Sequence, residues 1–361
     1  MNRRNLLLGA GALAVAGGAG VAGWRASVGS VADYDRYSDR LRAAMPPDPA
    51  MADLIRYATL AANGHNTQPW RFRIKGETID ILPDLSRRTP VVDPDDHHLF
   101  VSLGCAAENL RIAATATGRP GALSIDDAGA RYVFDRGSAR TDPLFAAIPA
   151  RRCSRTLYDG RPVPNSDLET LRRATDTPGV RLVLLTDRPR IDQARDLVVA
   201  GNEAQMTDPA FMAELKRWLR FNPGDAMRTG DGLYSAASGS PILPAGLGGI
   251  AFDRFFAAAA ENEKYARQID SSSGLAVFLA ERADPAHWMT VGRACQRFML
   301  AATALDLRCA FVNQPVEVAG LRPALADLAG EAGLRPDLVL RFGRGPVLPF
   351  APRRPVAAVI V

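Results

Sequence analysis

Two stretches of this chain read as nearly the same helix. Gly104–Ala116 aligns without gaps on Gly292–Ala304, with Gly104 over Gly292, Ala106 over Ala294 and Ala-Ala-Thr-Ala closing both. Small residues at helical spacing make a face that another helix can approach closely. A chain built on such a repeat folds as two related halves packed through these helices, a pseudo-dimer within one polypeptide. The alternative is chance similarity, since two Ala-rich helices draw on few residue types.

Alternating elements surround the repeat. Met51, Leu54, Ile55, Ala58 and Ala62 mark one helical face. Trp70, Phe72 and Ile74 alternate up to a turn at Lys75-Gly76-Glu77, and Ile79 and Ile81 alternate after it, which is a hairpin signal. Asp142-Pro143 is expected to open a short helix, and Ser166 with Glu169 to cap the next one as a capping box. Val180–Leu185 reads as a strand, Asp208-Pro209 as the start of a helix carrying Trp218, and Asp284-Pro285 as the start of the second repeat helix. Strands follow at Cys309–Val312 and Leu338–Phe342. The class is α+β with a mostly antiparallel or mixed sheet, divided into a first half at 45–140 and a second at 141–361. Asn222–Gly249, rich in Gly, Pro and Ser and without periodicity, is either a lid over a site or a plain surface loop.

Residues 1–30 form a separate segment. Arg3 and Arg4 precede a weakly hydrophobic Leu/Ala/Gly/Val run to Gly23, the pattern of a twin-arginine export signal or of a short membrane anchor. Export to the periplasm or cell envelope is the expectation, with membrane association if the segment is retained. Without these arginines the formal charge of +5 leaves a nearly balanced body. Lysine occurs only at 75, 216 and 264, and no basic run is interleaved with stacking aromatics, so nucleic acid is not implied. The cysteines at 105, 153, 295 and 309 make no Cys-x-x-Cys pair and, with His65, His97, His98 and His287, no set at metal spacing; no metal site is expected.

Chemistry concentrates in two motifs. Gly64–Trp70 crowds His65, Asn66, Gln68 and Trp70 into one short loop. Carboxamides match an edge of alternating donors and acceptors, and aromatic cover suits a planar ring, a combination that fits a flavin. Arg151, Arg152 and Arg155, with the Ser154 hydroxyl among them, can hold a phosphate by forked charge-assisted bonds; a solvated charged face is the other reading.

With His65–Phe72, Ser86–Pro94, Asp159–Pro164, Arg341–Pro346 and Pro352–Pro355, the chain resembles the nitroreductase-like FMN flavoproteins, specifically the Acg family of FMN-binding oxidoreductases, over nearly everything after about residue 50. The resemblance implies a nitroreductase-like fold and FMN as cofactor. It places Asn66 and Gln68 at or beside the isoalloxazine ring, and Arg151, Arg152, Ser154, Arg155 and Arg353 on the phosphate side; His65 reads as a hydrogen-bonding partner of the ring, with a proton donor as the other reading. In ordinary nitroreductases the arginine motif precedes the Asn-Gln-Pro-Trp motif, whereas here it follows in the other half, so the site has to draw on both halves. The expected activity passes electrons from NAD(P)H or another donor through FMN to quinone-like or nitroaromatic acceptors. The alternative is an FMN-sequestering protein with a closed lid. No catalytic acid or base is assigned.

Overall fold

The computed structural model describes residues 23–24, 27–140 and 142–361. The signal or anchor expected at 1–30 lies for the most part outside these residues. Among the described residues no helix is long and apolar enough to cross a membrane.

After helix α1 (Val31–Leu41), the first half runs α2 (Met51–Thr59), β1 (Trp70–Ile74), β2 (Thr78–Pro83), α3 (His97–Ala116), β3 (Gly121–Asp126) and β4 (Gly129–Phe134). The second half repeats this order with α4 (Asn165–Thr175), β5 (Val180–Leu185), β8 (Gly274–Ala280), α10 (Pro285–Ala304), β9 (Arg308–Phe311) and β10 (Arg335–Gly343). The sheets are ordered β1-β2-β4-β3 and β5-β8-β10-β9, and every pairing within them is antiparallel. Corresponding strands therefore occupy corresponding places. The class is α+β, as the sequence indicates.

The halves differ in what joins their first two strands. Between β1 and β2 the chain turns at Lys75-Gly76-Glu77. Between β5 and β8 it inserts α5 (Arg188–Met206), α6 (Pro209–Trp218), β6 (Leu219–Arg220), α7 (Pro223–Thr229), β7 (Leu233–Tyr234), α8 (Ala245–Phe255) and α9 (Ala258–Asp270). The second sheet is consequently covered on both faces. Every residue of β8 is buried, whereas β1 points Trp70 and Phe72 inward and Arg71 and Arg73 out. One core fills the space between the two sheets and the central helices; a second lies under α5 with α11 (Gln314–Glu317) and α12 (Arg322–Ala329), around Leu185, Ile191, Val277 and Val316.

Three expectations are corrected. Asn222–Gly249 contains α7, β7 and the first five residues of α8 and is not an irregular loop. Asp142-Pro143 opens a run of turns rather than a helix. α4 starts at Asn165 after Pro164, and Ser166 lies inside the helix with its hydroxyl 3.5 Å from Asp167, so it forms no capping box.

α3 and α10 are the repeated helices, and they cross where their glycines meet. A Cβ on Gly104 would lie 1.9 Å from Met289 O, and one on Gly292 would lie 2.0 Å from Val101 O. The two contacts are reciprocal, each glycine facing the carbonyl one turn before the other. Beside the crossing, fully buried Glu108 accepts hydrogen bonds from Arg111 on its own helix (2.6 Å) and from Arg293 Nε (2.9 Å) and Arg297 Nη1 (3.0 Å) on α10. Burial pushes this carboxyl up, but the three guanidiniums prevail and hold it at about 2. Gln296 donates to Asn109 (2.8 Å) and accepts from the Ala62 amide (3.2 Å), tying the crossing to the loop that follows α2.

Gly104→Ala is expected to lower stability by roughly 1–3 kcal/mol or more through overpacking. Gly320→Ala, where the added methyl meets nothing within 4 Å, serves as the control in urea unfolding. Glu108→Gln leaves three guanidiniums around a neutral group and is expected to cost about 3–5 kcal/mol. Glu108 has a depressed folded pKa, so its stabilisation is present above about 4.5 and is lost as pH falls toward about 2. The variant should therefore show a shallower acid-unfolding profile in that window.

Candidate functional site

The loop between α2 and β1 is held in an unfavourable backbone conformation. His65, Asn66 and Gln68 have φ of 46°, 53° and 53°, in the left-handed region that costs non-glycine residues of order 1–3 kcal/mol each. The surroundings impose this shape. Within the loop, Gln68 N donates to Asn63 Oδ1 (2.9 Å) and Thr67 N to Gly64 O (2.9 Å). From the insertion, Gly232 N donates to Asn66 O (3.1 Å). The Asn66 carboxamide donates to Gly232 O and Pro352 O and accepts from Arg353 Nη1 (2.7 Å). Gln68 donates to Gly230 O (2.8 Å) and accepts from Arg354 N (2.9 Å).

Two connected cavities open beside this loop. The smaller, about 60 Å³, is lined by five guanidinium side chains, Arg42, Arg151, Arg152, Arg155 and Arg353, and by no carboxylate among the described residues. Arg353 is almost fully buried and donates to Thr59 O (2.7 Å) and Ala61 O (2.9 Å) as well as to Asn66. Burial and then the neighbouring Arg151 pull its pKa down to about 9. Arg42 is also pushed well down, by burial and by Arg353. Arg42 and Arg152 stack on the Phe350 ring at 3.8 and 3.5 Å from its centroid. Arg151 donates to Leu60 O (2.7 Å), while its buried Nε has no acceptor. Among the described residues no acceptor engages the Arg155 side chain. Charges packed in this way repel one another until an anion enters.

The larger cavity, about 230 Å³, reaches from the same loop to α3, α11 and the insertion. Apolar groups such as Phe211, Leu215, Leu219, Phe256 and Phe311 line much of it, with Ser102, Asn313, Gln314 and Glu317 among the polar groups. His65, Arg155, Leu233 and Phe311 border both cavities and mark their junction. His65 is held at about 4, chiefly by burial and then by His98 and Arg155, so it is neutral at physiological pH. Both halves and the insertion contribute to the two linings, as the order of the motifs along the chain requires.

The structure thus gathers His65, Asn66, Arg151, Arg152, Arg155 and Arg353 around the smaller cavity. Gln68 and Ser154 line neither cavity. Gln68 knits the loop to Gly230 and Arg354. Ser154 is fully buried; its backbone is fixed by Cys309 O (3.0 Å) and Tyr158 OH (2.9 Å), and its hydroxyl is unpartnered.

Sequence reasoning missed Arg42, Arg341 and a buried polar cluster. Arg341, fully buried, donates to Thr156 O (2.8 Å) and Gln268 O (3.2 Å) and so supports the arginine loop from beneath. Asp93, His97 and His98 have ligand-type atoms within 4.8 Å of one another, a grouping the adjacent histidines alone did not reveal. Asp93 accepts from the His98 and Leu99 amides (both 3.0 Å) and His98 lies against Asn313, whereas His97 Nε2 lies 3.0 Å from Asp337 Oδ1 without a hydrogen bond between them.

No protein-family model matches the chain. It is similar to "Putative NAD(P)H nitroreductase Rv3131" of Mycobacterium tuberculosis, 26% identical over 333 residues, covering 87% of this chain and 92% of that one. "Putative NAD(P)H nitroreductase acg" of the same organism is 24% identical over 338 residues, covering 87% and 97%. Among solved structures it overlaps the FMN-dependent nitroreductase NfnB of Mycobacterium smegmatis, in complex with NADPH, at 15% identity and a TM-score of 0.39, over 56% of this chain and 87% of that one. The resemblance to the nitroreductase-like proteins of Acg type therefore extends over most of the chain.

Gln68→Ala should leave Gly230 O and Arg354 N without partners and lower stability by about 1–3 kcal/mol per buried group. The readout is a fall in Tm in the ligand-free protein, which a residue serving only a bound ring would not show.

Proposed function

We propose that the chain is an FMN-binding oxidoreductase of nitroreductase-like type, with the phosphate in the arginine cavity and the ring in the larger one. The observation that carries this reading is the pair of adjoining cavities, the smaller lined by five arginines and the larger by apolar and hydrogen-bonding groups, with His65, Arg155, Leu233 and Phe311 bordering both. A ligand that suits it has a dianion at one end and a planar body at the other. The orphaned Arg151 Nε and the unengaged Arg155 fit such a group. The curated relatives named as NAD(P)H nitroreductases support the same reading.

When bound, FMN supplies two-electron redox chemistry that side chains lack. The chain's own residues bind, orient and enclose it. Arg151, Arg152 and Arg155 neutralise the phosphate, while Arg42 and Arg353 contribute charge from guanidiniums already fixed by backbone acceptors. Arg155 brings positive charge to the junction of the two cavities. His65, neutral and held by its loop, offers a hydrogen-bonding ring there. Asn66 keeps the loop in shape and holds Arg353. NAD(P)H is the proposed donor, and quinone-like or nitroaromatic molecules are the proposed acceptors. The insertion roofs the larger cavity with Leu233, Ser238, Ser240 and Phe256, which favours a second reading in which the cover stays closed and FMN is sequestered. Export by the twin-arginine route remains part of the proposal, because that route carries proteins folded around a cofactor.

A charge-assisted hydrogen bond contributes roughly 1.5–3 kcal/mol, so Arg155→Ala should weaken FMN retention about tenfold or more. Riboflavin, which lacks the phosphate, should bind the variant and the parent alike. Equal FMN affinity in both would remove the phosphate assignment. Anaerobic titration with NADH and NADPH then separates the two readings: bleaching of the flavin band supports turnover, and a flavin that stays oxidised supports sequestration.

A further inference from the structure

The groove is electrically asymmetric. The larger cavity carries the carboxyl groups of Asp93, Glu261 and Glu317, whereas the smaller carries none among the described residues. Two of these are already satisfied. Asp93 caps α3 through the amides of His98 and Leu99, and Glu261 pairs with Lys264 one turn along α9.

Glu317 differs. No cation pairs with it among the described residues. Its Oε2 accepts from Gln205 Nε2 (2.6 Å), and its Oε1 receives no protein donor. One turn earlier on α11, Gln314 is only 6% exposed, lines the same cavity, and has its Oε1 buried without a partner. A buried acceptor with no donor costs about 1–3 kcal/mol, so a ligand donor there recovers energy that the protein alone leaves unrecovered.

Tyr265 of α9 lines the same cavity close to Gln314 and Glu317, yet Gln314 Oε1 has no partner. Val339 N donates to Asn313 Oδ1 (2.8 Å), which turns the Asn313 NH2 toward His98 Nε2 at 3.3 Å. His98 Nε2 therefore accepts, and the imidazole presents no proton to Glu317 from that nitrogen. Burial raises the Glu317 carboxyl, and His98 and the Gln205 hydrogen bond oppose the rise. The walls facing this helix are aromatic and aliphatic, with Phe211, Leu215, Phe256 and Phe311.

We infer that Gln314 and Glu317 form a donor-recognising subsite, so that the substrate lying in the larger cavity is a planar aromatic bearing an amino or ammonium group. This rests on the reading of the larger cavity as the flavin and substrate pocket. An aromatic carboxylate of the same size is disfavoured, because its charge would face the Glu317 carboxylate and the Gln314 carbonyl oxygen. Glu317 acts here through recognition and takes no part in electron transfer.

The test uses the full chain loaded with FMN and two probes that differ only in their charged substituent, 4-nitrobenzylamine and 4-nitrobenzoate, with affinities read by calorimetry. The parent is expected to bind the amine at least tenfold more tightly. Glu317→Gln should weaken amine binding about tenfold and leave the benzoate unchanged or tighter. Gln314→Leu should weaken the amine with folding and flavin content intact. Equal affinity for both probes, or amine binding unaltered in both variants, overturns the inference. Loss of FMN from the variants without any change in probe preference would assign these acceptors to the cofactor and likewise overturn it. If the parent retains no FMN, the flavin reading fails, while the same titration of the flavin-free cavity still decides the preference for the amine.

Discussion

The molecule is organised by two glycines that let helix backbones touch. Where α3 and α10 cross, each glycine admits a carbonyl of the other helix at a distance that a methyl group would forbid. Backbone approach of this kind leaves no room for hydrophobic side chains at the point of contact, so polar groups beside it fix the angle and register. Glu108, shared by arginines from both helices, and the Asn109–Gln296 pair perform that function. Both sheets hang from this crossing, and so does the seam in which the cavities open.

The site inherits its character from the seam. The Gln296 carboxamide reaches from the crossing to Ala62, immediately before the strained loop, so the position of His65 is coupled to how the halves meet. The loop's strain is sustained by bonds from the insertion and from the segment at 352–354, and the arginine loop rests on Arg341 below. The groove is therefore a preformed concavity whose walls come from segments far apart in sequence. Its smaller cavity carries five arginines and no carboxylate among the described residues, and its larger one carries the carboxyl groups and most of the apolar wall.

Much of this was legible in the residues. The two similar helices were visible because contact between backbones admits few residue types, and the arginine cluster because adjacent guanidiniums leave a dense local signal. The strands at Val180–Leu185 and Leu338–Phe342 followed from plain apolar runs. Other features were hidden for identifiable reasons. Arg42 follows Arg36 and Arg40 at the end of an amphipathic helix and reads as one more solvated charge, until the return of the chain at Phe350–Arg353 sets it in the cavity wall. Gln68 carries the donors and acceptors that a flavin edge needs, but they match a backbone amide and carbonyl equally well. The Gly-rich α8 has poor intrinsic helix propensity and was read as loop, because packing and not composition makes it helical. Gln314 and Glu317 belong to a four-residue helix, too short to leave a period.

The arginine cavity also has an order of assembly. Its guanidiniums come from residue 42, from 151–155 and from 353, and the Tyr37 hydroxyl of α1 donates to the Arg353 carbonyl to close the ring of segments. A ribosome delivers these pieces in sequence, so the anion-binding wall stays incomplete until the strand β10 and the segment after it have emerged. On the proposed function, capture of an anionic ligand in this cavity is thus a late event in the life of the nascent chain.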